Sequence, residues 1–287
     1  MPSLFLNAER RLRNGWWILI FFGVLAAILL PLIVSAKSSG SAVSPIQQAA
    51  VVLVASCICQ LLRRRPLSEL FGRLDITWLR ELAWGALAGA SMMLVPALLL
   101  ASLGLVSWQW SSSGPLILSS AVRHLAGAAA AEELMFRGFI FQRLIDGLGQ
   151  WPAQFIVAGY FVLTHSDGLS GAGELGPLAG VNIFLASVMF GLAFIRTRSL
   201  AMPFGLHFSA NVTQGPILGF GVSGDSQPGL LQSTILGGPA WLTGGAFGLE
   251  ASVPGLLCVL VAVVVLYRWK PSCEKSPALP TDKAHLQ

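Results

Sequence analysis

The sequence predicts an all-α, polytopic membrane protein with about eight transmembrane helices. Three observations carry this. Hydrophobic residues make up 54% of the 287 and charged residues only 11%, where a soluble domain is roughly a quarter charged; mean hydropathy is +0.71. Runs almost free of charge recur at 16–34, 46–62, 82–106, 178–195 and 251–267, and a helix needs about 20 apolar residues to cross a bilayer. The basic residues also alternate between loops. With the N-terminus inside, they fall in the arm (Arg10, Arg11, Arg13), between the second and third spans (Arg63, Arg64, Arg65, Arg73, Arg80) and after the fourth (Arg143). The rest follow the sixth span (Arg196, Arg198) or lie in the tail (Arg268, Lys270, Lys275, Lys283), while only Lys37 lies in an outside loop. Positive charge stays on the cytoplasmic side of a membrane, so both termini are expected there. The same distribution accounts for the net charge of +5 without invoking nucleic acid.

The spans fall near 15–35, 46–62, 81–105, 116–143, 151–166, 178–196, 199–220 and 252–269. In the first, arginines before an apolar stretch and Val34-Ser35-Ala36 after it resemble a secretory signal, but the run of 19 residues exceeds the usual length of about 7–15. An uncleaved span is the default. Cys57 and Cys59 in the second span point to opposite sides of a helix and do not read as a metal pair. With Cys258 and Cys273 they make no evident disulfide framework. Small residues at 85–90 suit close helix packing in the third span. Asn182 in the sixth suits a structural hydrogen bond between helices, worth ~1 kcal/mol. Residues 221–250 are rich in glycine and lack Lys and Arg, which predicts a looped or re-entrant segment over the outer face, tolerated at membrane depth only under protein or water cover. The tail from Lys270 is polar and proline-bearing and is expected to be disordered. The organisation is an arm with two spans (1–80), a core (81–269) and a tail (270–287). No phosphate-binding loop is present, which disfavours an ATP-driven pump.

Chemistry is sought where ionisable residues interrupt apolar spans, since each costs a few kcal/mol to insert. Span four carries Glu132, Glu133 and Arg137. Glu133 and Arg137 are four apart on one face, the spacing of a helical ion pair; Glu132 is turned about 100° away. A carboxylate tied to a guanidinium has a structural role, whereas one without that partner is the better general base for activating water. The plainer reading is that both acids snorkel and fix helix depth. His165 ends span five. His207 and Asn211 share a face of span seven, so that both can converge on one water, metal ion or oxyanion. His124 and Arg123 read as interfacial anchors. The topology places His165 at the outer end of its span and Glu132 and His207 nearer the inner half, ~10 Å or more away at ~1.5 Å per residue. Bringing them together calls either for other boundaries, with span five beginning later than drawn, or for a span bent or tilted around a water-filled cavity expected to open to the cytoplasmic side.

In order, Glu132-Glu133-x-x-x-Arg137, Phe161-x-x-x-His165 and His207-x-x-x-Asn211 resemble the CPBP family, the CAAX protease and bacteriocin-processing (Abi) intramembrane peptidases. The likeness covers about residues 80–268 and extends to Phe136-Arg137-Gly138, to 191–197 and to 242–250. It implies peptide-bond hydrolysis within the membrane, with Glu132 as base, His165 and His207 beside it, and Asn211 stabilising the oxyanion; Glu133 completes the catalytic set. Ras-converting members remove the last three residues of prenylated CAAX proteins, and bacterial members are assigned to bacteriocin immunity or peptide maturation. The implied partners are the lipid bilayer and a peptide or protein substrate, prenylated or not, and a bacterial inner membrane is the favoured location. Two mechanisms fit. In a metalloprotease, His165, His207 and Glu132 would bind Zn²⁺ and lower the pKa of its water. Without a metal, Glu132 and His165 activate water and Asn211 or backbone groups hold the oxyanion. The second is favoured, and a proton-coupled transporter and a non-catalytic scaffold are the rivals from other classes.

Overall fold

The computed structural model describes residues 4–6, 10–112, 114–226 and 229–270. The expected disordered tail beyond Lys270, with Cys273, lies outside the described residues. The chain is an all-α membrane protein. Helices α1 (Asn14–Ser38) and α2 (Pro45–Leu62) form an antiparallel pair. A capping box starts α2: Ser44 accepts from the Gln47 amide while the Gln47 side chain accepts from the Ser44 amide, which satisfies two otherwise unpaired groups at the helix end. The short α3 (Ser68–Phe71) leads into α4 (Ile76–Ser102), capped by Asp75, which accepts from the Thr77 and Trp78 amides.

Strand β1 (Val106–Trp110) follows, then α5 (Gly114–Arg137), α6 (Phe139–Leu148), α7 (Gln150–Leu163) and α8 (Ser166–Gly171). Next come α9 (Gly176–Thr197) and α10 (Ala201–Val212), which runs on into a π-turn at Thr213–Ile217. Strand β2 (Leu231–Ile235) pairs antiparallel with β1, Val106 opposite Ile235. This ribbon, with α11 (Ala240–Thr243), occupies the expected loop over one face of the bundle. Finally α12 (Val253–Arg268) crosses back, and its last carbonyls are capped by Arg196, whose Nε donates to Leu266 O at 3.0 Å and whose Nη2 donates to Tyr267 O.

Among the described residues four helices are long and apolar enough to cross a membrane: Asn14–Ser38, Pro45–Leu62, Ser68–Ser102 and Gly173–Thr197. Leu30, Leu61, Leu87, Leu98 and Val261 stand exposed on the helical surfaces, an apolar belt of a kind soluble monomers avoid. Three expected spans differ in the structure. The stretch 116–143 breaks at Gly138, where a side chain would meet Leu134 O at 2.2 Å, so the chain turns from α5 into α6. The stretch 151–166 stops at Leu163, and His165 opens α8 instead. The stretch 199–220 holds a helix of 12 residues and then the π-turn, which contains Pro216.

The small residues of α4 act as the sequence suggests. A Cβ on Gly85 would lie 2.4 Å from Met202 O, one on Gly89 2.2 Å from Leu206 O, and one on Gly205 2.4 Å from Leu82 O. The backbones of α4 and α10 therefore touch directly, and small residues at such interfaces let van der Waals packing hold helices together in lipid. That contact fixes α10, and α10 carries His207.

Candidate active site

Arg137 is the anchor. Its side chain is 0% exposed, and its guanidinium centre lies 5.7, 5.0 and 5.1 Å from the Phe136, Phe161 and Phe190 rings. A charge so placed is tolerable only when paired and hydrogen-bonded. Nη1 donates to Glu133 Oε1 at 3.3 Å, and Nη2 donates to Ser187 Oγ at 2.8 Å and Ser187 O at 3.0 Å. The i,i+4 ion pair expected from sequence is present, with Glu133 2% exposed.

The same Glu133 oxygen accepts from His207 Nδ1 at 2.8 Å. Because a carboxylate paired with a guanidinium can only accept, Nδ1 carries the proton and the ring orientation is set. Phe190 stacks on the imidazole, centroids 5.0 Å apart and planes 13° from parallel. The other nitrogen, Nε2, lies 3.8 Å from Glu132 Oε2. Glu132 itself is 32% exposed at the side chain. The step of about 100° between consecutive helical residues thus sends Glu133 into the protein and Glu132 toward an opening.

That opening is a cavity of about 890 Å³ whose lining includes Glu132, His165, His207 and Asn211. His165 is held as His207 is, through Nδ1, here by the Phe161 carbonyl at 2.7 Å; a carbonyl cannot donate, so this Nδ1 also bears the proton. Both histidines therefore keep Nε2 free of these fixing bonds.

The structure brings together every residue singled out on the three motifs, Glu132, Glu133, Arg137, His165, His207 and Asn211. The depth mismatch disappears because α5 begins farther out than drawn. A Cβ on Gly127 would sit 2.6 Å from the Ile46 amide in the first turn of α2, so Glu132 lies only about 7–8 Å of helix rise below that level, in the same half of the bundle as His165. The cavity mouth lies away from the loop arginines. Its outer lining comes from Lys37, Ala42, His124 and Asp225, on the face opposite the Arg63–Arg65 turn, not on the arginine-bearing face expected to be cytoplasmic. His124, read as an anchor, belongs to this lining.

Sequence reasoning missed Ser187, Phe190 and Glu250. Ser187 was visible as a polar residue inside an apolar span. Glu250 accepts from Ser223 Oγ at 2.8 Å and Gln214 Nε2 at 3.1 Å, holding the segment with Ser223 and Asp225 against the cavity. Asn182 donates to the Glu250 carbonyl, so its partner is the turn that precedes α12 and not a neighbouring span. As zinc ligands, His165, His207 and Glu132 do not fit: among the described residues no three His, Cys, Asp or Glu side chains gather into a metal-binding group.

The all-α membrane bundle thus sets a carboxylate and two oriented histidines on one cavity. Residues 114–213 match the family described as Type II CAAX prenyl endopeptidase Rce1-like. This stretch holds all six motif residues and is consistent with the CPBP/CAAX protease family that the motifs resemble. No curated protein matches the chain.

Proposed function

We propose that the chain is a CAAX-protease-type intramembrane endopeptidase that hydrolyses a membrane-associated peptide or protein with a water activated by Glu132. The observation that carries this reading is the division of labour between adjacent glutamates: Glu133 is committed to Arg137 and His207, while Glu132 faces the cavity, its Oε2 without a hydrogen-bond partner among the described residues.

The gap of 3.8 Å between Glu132 Oε2 and His207 Nε2 is too long for a direct hydrogen bond, and a water beside the two can bond to both. Glu132 takes a proton from that water as its oxygen attacks the scissile carbonyl. The resulting oxyanion accepts a hydrogen bond from the Asn211 amide. As the C–N bond breaks, protonated Glu132 returns the proton to the leaving amine, so water is divided between the two products. His165 presents Nε2 to the same cavity and helps hold the water. Ser187, Arg137 and Phe190 act through Glu133 and His207 as positioning residues. No step is routed through a metal.

The test is turnover of a quenched fluorescent peptide library, half of it farnesylated at a C-terminal CAAX cysteine, by detergent-purified protein. Wild-type cleavage with loss of at least about 100-fold in Glu132→Gln, the scale of general-base catalysis, is expected. Cleavage undiminished in that variant removes Glu132 from the mechanism, and preference between the two halves names the substrate class.

A further inference from the structure

The two faces of the molecule differ in charge. On one lie Arg63, Arg64 and Arg65 after α2, Arg73 before α4, Arg143 in α6 and Arg198 after α9. On the opposite face lie Lys37 and Arg123 together with Asp167, Glu174 and Asp225. Basic residues in short loops stay on the cytoplasmic side, and acidic ones contribute little to orientation. The arginine face is therefore the cytoplasmic one.

The catalytic cavity opens on the other. Its lining runs from Lys37 and Ala42 at the α1–α2 turn and Asp225 beyond α10 down to Leu25, Glu132 and Phe136, and takes nothing from the arginine face. Its lining from the first two helices is apolar, with Leu29 and Ile33 of α1 and Val51 and Val52 of α2. Only 11% of the apolar window of α1 is buried in the bundle, so this is the side on which a second membrane helix can lie beside the cavity.

We infer that the site is served from outside the cytoplasm and that its substrate is a membrane-anchored polypeptide cut near the non-cytoplasmic end of its anchor. The inference rests on the peptidase reading above and narrows it. The anchor lies along α1, with its apolar side chains against Leu29 and Ile33, and the scissile bond reaches Glu132 where the anchor emerges beside Lys37 and Asp225. A prenylated C-terminus exposed in the cytoplasm would meet the arginine face, with the bundle between it and Glu132.

Sidedness is tested apart from activity. In a background with Cys57, Cys59, Cys258 and Cys273 replaced by serine, Ala42→Cys (exposed, at the mouth) and Ser68→Cys (exposed, on the arginine face) are treated with a sulfonated, membrane-impermeant maleimide in bacterial spheroplasts. At least tenfold more label on Ala42→Cys, with Ser68→Cys reacting only after permeabilisation, is expected; the reverse pattern overturns the inference while leaving the peptidase reading intact. The same spheroplasts then receive the unprenylated half of the quenched library made impermeant by terminal sulfonates. Cleavage by intact wild-type spheroplasts and not by Glu132→Gln ones supports the inference, and cleavage that appears only after permeabilisation overturns it. Absence of cleavage even by purified protein counts against the peptidase reading instead, and the labelling still decides the side.

Discussion

Replacing Glu133 by glutamine keeps the shape of the side chain and removes its charge. The structure makes this an expensive change. Arg137 is 0% exposed, Glu133 is 2% exposed, and Ser187 is the other hydrogen-bonding partner of the guanidinium. Breaking a buried ion pair by neutralising one member costs about 3–5 kcal/mol, because the remaining charge is left uncompensated. A native state is stabilised by only about 5–15 kcal/mol in all, so Glu133→Gln should lose about a fifth or more of its stability. Arg137→Met, which strands the carboxylate with His207 alone, should lose a similar amount. The double variant buries no charge at this point, and apolar replacement of a whole buried pair is often neutral. It should therefore be more stable than either single variant, with a coupling energy of about 2–3 kcal/mol, within the range for directly interacting residues. Equilibrium unfolding in mixed detergent micelles, followed by tryptophan fluorescence, measures all four proteins. If the double variant is destabilised by the sum of the two singles, Arg137 and Glu133 act independently and the anchoring role given to this pair is wrong.

Three further outcomes are expected. His207→Ala removes the second donor to Glu133 and the ring stacked on Phe190, so it should lower both folded yield and turnover; His165→Ala, which loses a hydrogen bond to the Phe161 carbonyl and breaks no buried ionic contact, should lower turnover with stability within about 1 kcal/mol of wild type, and equal unfolding curves for the two would contradict the geometry. Ser187→Ala deletes one of the Arg137 hydrogen bonds while the Ser187 carbonyl remains, and should cost about 1–3 kcal/mol with a measurable fall in turnover even at temperatures where the variant stays folded. Gly89→Val places methyl groups where Leu206 O already sits 2.2 Å from a built Cβ; overpacking of this kind costs about 1–3 kcal/mol or more, and a variant with wild-type stability and turnover would show that α4 and α10 separate freely.

The membrane class, and the polar residues that the structure gathers around one cavity, were legible in the sequence because both depend on residue type in an apolar setting. A charge in hydrophobic surroundings stands out wherever the helix ends fall, which is why Glu132, Glu133, Arg137, His165, His207 and Asn211 could be named. The spacing of Glu133 and Arg137 also predicted their pairing, since four residues return to the same helical face. Depth was not legible. Gly138 reads as one small residue in an apolar run, yet the contact its Cβ would make with Leu134 O marks the end of α5. Without that break the span was drawn to 143, six residues past the end of α5 at Arg137. The roles of Ser187 and Glu250 depend on partners 50 and 36 positions away in the chain, Arg137 and Gln214, which periodicity cannot supply.

The order in which the site is built also bears on which chemistry it suits. A proton relay needs a series of groups that each take up and release a proton. Here the series runs from Ser187 to Arg137, Glu133 and His207, and its first two links are fixed: a hydroxyl and carbonyl holding a guanidinium, and the guanidinium holding a carboxylate. Protonating Glu133 would leave Arg137 buried among three aromatic rings without its counter-charge, so this carboxylate serves poorly as a transit station. What the series does accomplish is to aim one imidazole, with its Nδ1 committed and its Nε2 turned toward Glu132. Rigid aiming of a single acid–base pair at a cavity is what a hydrolytic centre requires, because catalytic groups act through geometry held before the substrate arrives. Under the proposed mechanism Arg137 acts on turnover without touching a substrate, and Arg137→Lys, which keeps the charge but not the fork that reaches Glu133 and Ser187 together, should lower kcat more than it raises KM.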